Sequence, residues 1–188
     1  MSDIVFVTGN QSKADYLAKY LNFPVDHVRL ALDEIQSLSL RDVVRHKALR
    51  AYEQVSRPVL VEDASLECTA LGRLPGTFIR WFIEELSLNG LCDLLNGKDR
   101  SAIARGMFCY FDGEREVYFE GSTHGRISEK PAGDGGYGWD SIYIPDGYTV
   151  TRAQLDEPDY QKTYLAIKPL DRIRDFLLTL SGYPSSSR

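Results

Sequence analysis

At 188 residues, with 43% hydrophobic and 26% charged side chains, the chain carries enough apolar material for a packed core and is unlike a disordered segment. Its 22 Lys and Arg against 27 Asp and Glu leave a formal net charge of −5. That balance argues against gripping a nucleic-acid backbone, which needs a basic face, but salt screens charge within ~8–10 Å, so a few clustered lysines can still hold a small anion.

The predicted elements start with a strand over Ile4 to Val7 that ends in Thr8-Gly9-Asn10, after which Ala14, Leu17, Ala18 and Leu21 recur at helical spacing. Leu40, Val43, Val44, Ala48, Ala51, Tyr52 and Val55 mark a second helix with Ser39 as its cap, stopped before Pro58. Val59-Leu60-Val61 is a buried strand running into Glu62-Asp63 at its C-terminal edge. Phe78 to Leu86 and Leu88 to Leu95 form short helices broken near Ser87. Ala102 to Phe111 and Glu116 to Ile127 are strands of a hairpin turned by Asp112-Gly113-Glu114. A glycine-rich segment precedes a short strand, Ile142 to Ile144, and Leu170, Ile173, Phe176, Leu177 and Leu180 define a last helix. Strands and helices intermix without strict alternation, so a mixed-sheet α/β fold is expected. It occupies one domain over 1–180, with 181–188 as a flexible tail.

Three separated cysteines, Cys68, Cys92 and Cys109, form no CxxC pair, which suits free thiols in a reducing compartment better than zinc or disulfides. The N-terminus turns polar too early for a signal peptide, and no apolar run nears the ~20 residues of a membrane span. A soluble, cytoplasmic protein with no membrane or nucleic-acid partner is therefore expected.

Thr8 to Lys13 lies between strand and helix, where free N–H groups and the helix dipole favour an anion. Lys13 opposes that dipole in the first turn, so a phosphate is its natural partner; an Asn-capped helix with a solvated lysine fits the same residues. Lys47 is the one charged member of the second helix's apolar stripe. It must snorkel, find a partner or face a polar cavity. Glu62-Asp63 and Asp33-Glu34 supply carboxylates which, if they converge near these lysines, suit Mg²⁺ on a phosphate chain. Gly133 to Gly138 satisfies GxGxxG, but no strand precedes it and no helix follows, so it is not a dinucleotide loop. Tyr137, Trp139 and Asp140 could instead form a floor for a base. No GxSxG or HExxH pattern supports a covalent or zinc mechanism.

In order and spacing these motifs resemble the inosine triphosphate pyrophosphatase family over nearly the whole chain: Ile4 to Asn10 with Lys13, Val59 to Leu66 with Leu74-Pro75-Gly76, and Gly138-Trp139-Asp140 with Pro145-Asp146-Gly147. The resemblance implies an elongated mixed sheet flanked by helices, two lobes with a cleft between them, and a homodimer. It implies hydrolysis of non-standard purine nucleoside triphosphates to monophosphate and pyrophosphate. Glu34 and Asp63 would hold Mg²⁺ or orient the attacking water, with Lys13 as a further catalytic group. Asn10, Lys13 and Lys47 would bind the triphosphate, Thr8 and Arg80 would also bind the substrate, and Tyr137, Trp139 and Asp140 would line the base pocket. Lys162 matches the lysine shortly before the family's terminal Ser-His-Arg. Here that motif is Ala166-Ile167-Lys168, followed by Pro169. Lys168 is then the remaining base-reading position, with a changed base preference or lost catalysis as the alternatives.

Overall fold

A computed structural model describes residues 4–180, so the expected tail at 181–188 lies outside the described residues. Val5–Val7 (β1) leads through Asn10 into helix Gln11–Tyr20 (α1), then Asp26–Val28 (β2). Helix Leu40–Val55 (α2) begins at Ser39, whose side chain accepts from the Asp42 amide at 3.3 Å, as its sequence predicts. Strand Val59–Cys68 (β3) is followed by Pro75–Gly76 (β4) and helix Ile79–Leu94 (α3). Ser87 interrupts α3 with φ 62° and ψ 173°, at the break anticipated from the sequence. The hairpin Ser101–Phe111 (β5) and Glu116–Ile127 (β6) precedes Tyr143–Pro145 (β7), Glu157–Leu165 (α4) and Leu170–Leu180 (α5).

The seven-stranded sheet runs β2-β1-β3-β5-β6-β7, with β4 on the edge of β3. β1 is parallel to β2 and β3, and the other pairs are antiparallel. This is the expected mixed sheet. Strand alternation sorts its core into layers. Leu60, Phe108 and Tyr110 pack with Leu17, Ile173 and Leu177 of α1 and α5 on one face. Val59, Val61 and Cys109 pack with Val44, Ala48 and Ala51 of α2 on the other. The far halves of β3 and β5 carry a separate cluster, in which Leu66, Cys68, Ala102 and Ala104 meet Ile79, Leu91 and Leu95 around α3. The long strands thus join two lobes.

Several details depart from the sequence expectation, which has no strand at β2 or β4. β3 does not end near Val61: it continues to Cys68 because β5 pairs with it over its whole length, from Val59↔Phe111 to Cys68↔Ala102. Glu62 and Asp63 therefore lie inside a strand rather than at its end. α4 was not anticipated, since it has little apolar periodicity and is announced only by its Asp156 cap and Pro158. The strand expected over Ile142 to Ile144 is displaced by one residue. Among the described residues no helix is long and apolar enough to cross a membrane.

The link between α4 and α5 lies directly on the sheet. Gly106 and Gly121 are cross-strand partners, and a Cβ on Gly121 would come within 2.7 Å of the Ala166 and Ile167 backbone, as one on Gly106 would come within 2.6 Å of the Ile167 carbonyl. Gly121→Ala should therefore force this link outward and destabilise the protein by about 1–3 kcal/mol, a loss that urea denaturation measures.

The thiols of Cys68, Cys92 and Cys109 are buried. Burial pushes Cys68 up to about 11 and Cys109 up to about 12. An unfolded thiol ionises near ~8.5, so the folded state holds the protons longer. The stability this provides is complete below that pH and falls as pH rises toward the folded values. Urea denaturation at pH 8 and 10 should show the fall, and a Cys68→Ala/Cys109→Ala chain should show a smaller one.

Candidate active site

A gap in one edge of β3 organises the site. On that edge β1 pairs with Val59 and Leu60, and β4 pairs with Leu66 and Glu67. Between them no strand of the described residues covers β3, and a cavity of about 910 Å³ opens there between the lobes. This is a volume suited to a nucleotide-sized ligand.

Alternation along β3 sends its adjacent carboxylates to opposite faces. Glu62 points toward the α1 and α5 side, where Lys168 contacts its carboxylate and Lys13 Nζ lies 3.5 Å away. Asp63 points toward α2, where Lys47 Nζ donates to Oδ2 at 2.7 Å. Asp63 Oδ1 accepts from the Ala64 amide, also at 2.7 Å, which satisfies one N–H on the open edge. Glu34, from the extended segment before α2, reaches the same Lys47 at 2.6 Å.

Lys47 is only 12% exposed and so does not snorkel; it bridges two carboxylates in the cavity wall. Lys168 is 6% exposed. Burial and the Lys13 ammonium push its pKa down, and contact with the Glu62 carboxylate favours its charged form.

The loop after β1 forms the next wall. Thr8 Oγ1 accepts from the Asn10 amide at 3.1 Å, and Asn10 Oδ1 caps α1 through the Lys13 amide at 3.3 Å. Asn10 Nδ2 also donates to the Tyr137 hydroxyl, tying the loop to the glycine-rich segment opposite. Arg80 lines the α3 side, with its guanidinium 4.6 Å over the Trp81 ring and Nε 3.5 Å from Glu84. Tyr137, Trp139 and Tyr164 supply aromatic wall. Burial raises the Tyr164 hydroxyl above its ordinary range, so it stays neutral.

The structure thus brings Thr8, Asn10, Lys13, Glu34, Lys47, Asp63, Arg80, Tyr137, Trp139 and Lys168 to one cavity. It does not bring Asp140 or Lys162 to the wall. Asp140 is 1% exposed, and its carboxylate is occupied by Arg152, the Tyr137 amide and the Tyr160 hydroxyl. Lys162 is exposed on α4. Lys168 sits on Glu62, with its ammonium also 5.4 Å from the Tyr164 ring.

Sequence reasoning missed the separate place of Glu62, as well as Arg152 and Tyr164. Strand periodicity carried through Asp63 would have assigned Glu62 to the opposite face. Arg152 had no such signal, because an arginine after Thr151 in a loop reads as solvated.

The sequence model of the Ham1 family matches residues 4–166. The chain belongs to the Ham1 family. A relative from Scheffersomyces stipitis, named inosine triphosphate pyrophosphatase, is 37% identical over 95% of this chain and 100% of its own length. Inosine triphosphate pyrophosphatase 2 of Trypanosoma cruzi is 43% identical over 83% of this chain and 82% of its own. The fold of this Ham1 chain also matches the solved structure of a HAM1 protein from Coxiella burnetii, with a TM-score of 0.81 at 21% identity, covering 95% of this chain and 100% of that one.

Glu62 is the member of this Ham1 site whose loss the geometry makes most costly to the fold. Glu62→Gln leaves the Lys168 and Lys13 ammonium groups facing a neutral amide, and the expected destabilisation is about 3 kcal/mol. Adding Lys168→Met should recover part of it. Urea denaturation of the two single variants and the double variant checks both.

Proposed function

We propose that this Ham1 protein is a nucleoside triphosphate pyrophosphatase that hydrolyses non-standard purine nucleoside triphosphates, such as those of inosine and xanthine, to the monophosphate and pyrophosphate. The observation that carries the reading is the convergence of Lys13, Lys47 and Lys168 with Glu34, Glu62 and Asp63 in one cavity that also has aromatic walls. The names of the relatives point the same way.

In this reading the lysines and the N-terminus of α1 receive the phosphate chain, whose charge suits the donors there. Water held by the Asp63 side attacks the α-phosphorus. The bond from that phosphorus to the bridging oxygen breaks, and the pyrophosphate leaves against Lys13 and Lys47. The water proton passes to a carboxylate, so no covalent enzyme intermediate is needed. Fixed charges in a partly closed site stabilise the developing charge better than water, which must reorganise.

The carboxylate pair also fits a hard cation. Glu34 and Asp63 converge on one point, the Lys47 ammonium, at 2.6 and 2.7 Å. Among the described residues no group of three or more His, Cys, Asp or Glu is arranged to hold an ion alone, so substrate oxygens would have to complete its shell. Mg²⁺ is commonly held in this way, by one or two carboxylates with waters and phosphate oxygens. Glu34 and Asp63 would hold it, and when bound it would neutralise phosphate charge.

Two further parts of the proposal rest on simpler observations. Buried free thiols suit a reducing, cytoplasmic setting. The exposed Trp81, Leu86 and Leu94 of α3 offer apolar surface for a homodimer, which sedimentation measures.

Incubation with Mg²⁺ and a panel of standard and altered triphosphates should release pyrophosphate and monophosphate, with inosine or xanthine triphosphate turned over best. Release of orthophosphate alone would sink the assignment, and binding without turnover would leave a nucleotide-binding protein. Chelation should abolish turnover and Mg²⁺ restore it. Asp63→Asn should lower kcat by about a hundredfold or more while circular dichroism stays unchanged.

A further inference from the structure

The aromatic wall of the cavity contains a buried guanidinium that the reaction above does not use. Arg152 opens the short 3₁₀ turn Arg152–Gln154 and is 2% exposed. Its Nε donates to Asp140 Oδ1 at 2.6 Å, and Nη2 donates to the same oxygen. The rings of Tyr143 and Tyr164 each lie 5.5 Å from its guanidinium carbon. Nη1 is buried with no hydrogen-bond partner, and so is Nε1 of Trp139. Both side chains line the cavity.

Asp140 is held as firmly as the group it holds. Its other oxygen accepts from the Tyr137 amide at 2.7 Å and the Tyr160 hydroxyl at 3.0 Å. A Cβ on Gly136 would come within 2.5 Å of that oxygen, so the glycine-rich segment can fold over Asp140 only because this position lacks a side chain. The segment that mimics a dinucleotide loop in sequence thus serves to bury an ion pair.

The charge of Arg152 is already offset by Asp140. What it still offers is N–H groups. An unsatisfied buried donor is costly, so Arg152 Nη1 and Trp139 Nε1 mark places where an acceptor is missing. On a purine, the edge carrying O6 and N7 presents two acceptors when the 6-position is oxo, whereas adenine places an amino donor there.

We propose that Arg152, assisted by Trp139, is the specificity-determining residue that reads the 6-oxo group of the base, with Asp140 as its positioning residue. The inference rests on the nucleoside triphosphate reading above. It gives Asp140 a role without cavity contact and relieves Lys168 of base reading. It also supplies discrimination: an amino group at the 6-position meets donors and leaves them unpaired, the circumstance in which a polar site rejects an analogue most strongly.

The test pairs a change in the protein with a change in the substrate. kcat/KM is measured for inosine triphosphate and for purine riboside triphosphate, which has hydrogen at the 6-position. The wild-type chain should prefer inosine triphosphate by about tenfold or more, the worth of one buried hydrogen bond. Arg152→Lys keeps a charge against Asp140 but removes the planar fork. It should cut that preference to about threefold or less, with the loss falling on inosine triphosphate. A residue that only holds the fold would lower both substrates equally and leave the ratio unchanged, which overturns the proposal. Equal wild-type rates on the two substrates overturn it without any variant. If Arg152→Lys does not fold, Trp139→Phe, which removes only the second donor, is read by the same ratio. Absence of turnover with every triphosphate strikes the proposed function itself, and is thereby distinguishable.

Discussion

The site depends on β3 crossing a gap in its own sheet edge. Its first residues are held by β1 and its later ones by β4, so Glu62 to Ala64 line the cleft without a strand beside them on that side. β5 holds the opposite edge throughout. Glu62 and Asp63 can sit side by side in the middle of this strand because the gap admits partners to them. Alternation then requires those partners to come from both helical layers, since Glu62 and Asp63 cannot share a face. Lys13 and Lys168 answer from one side and Lys47 from the other.

This arrangement explains features that are separately unfavourable. A lysine in the apolar stripe of α2, a cation in the first turn of α1 and a buried lysine between α4 and α5 each cost something alone. Together they offset acidic groups whose desolvation would otherwise cost several kcal/mol each. A site of balanced charge can receive a charged phosphate chain by exchanging partners. The glycine pair in β5 and β6 belongs to the same design, because it lets the α4–α5 link lie close enough to the sheet for Lys168 to reach Glu62.

The cavity joins two kinds of wall. One holds lysines paired with carboxylates. The other holds rings and a guanidinium paired with Asp140. Tyr164 belongs to both, since the Lys168 ammonium and the Arg152 guanidinium lie 5.4 and 5.5 Å from its ring.

The sequence by itself determined the mixed α/β class, the helix caps at Asn10 and Ser39, the break at Ser87, the long hairpin and the family. Each of these depends on neighbours in the chain: periodicity, a capping residue, a turn, or motifs in order. It also marked Lys47 as anomalous, because one charge on an apolar stripe is visible without coordinates. Only the tertiary structure decided which carboxylate meets which lysine, that β3 runs on through its acidic pair, that Asp140 turns inward, and that Lys168 belongs with Glu62. Those outcomes depend on contacts between segments apart in the chain, such as Lys168 with Glu62, 106 positions away. No local spacing encodes which face, depth or partner a side chain finds once the layers close.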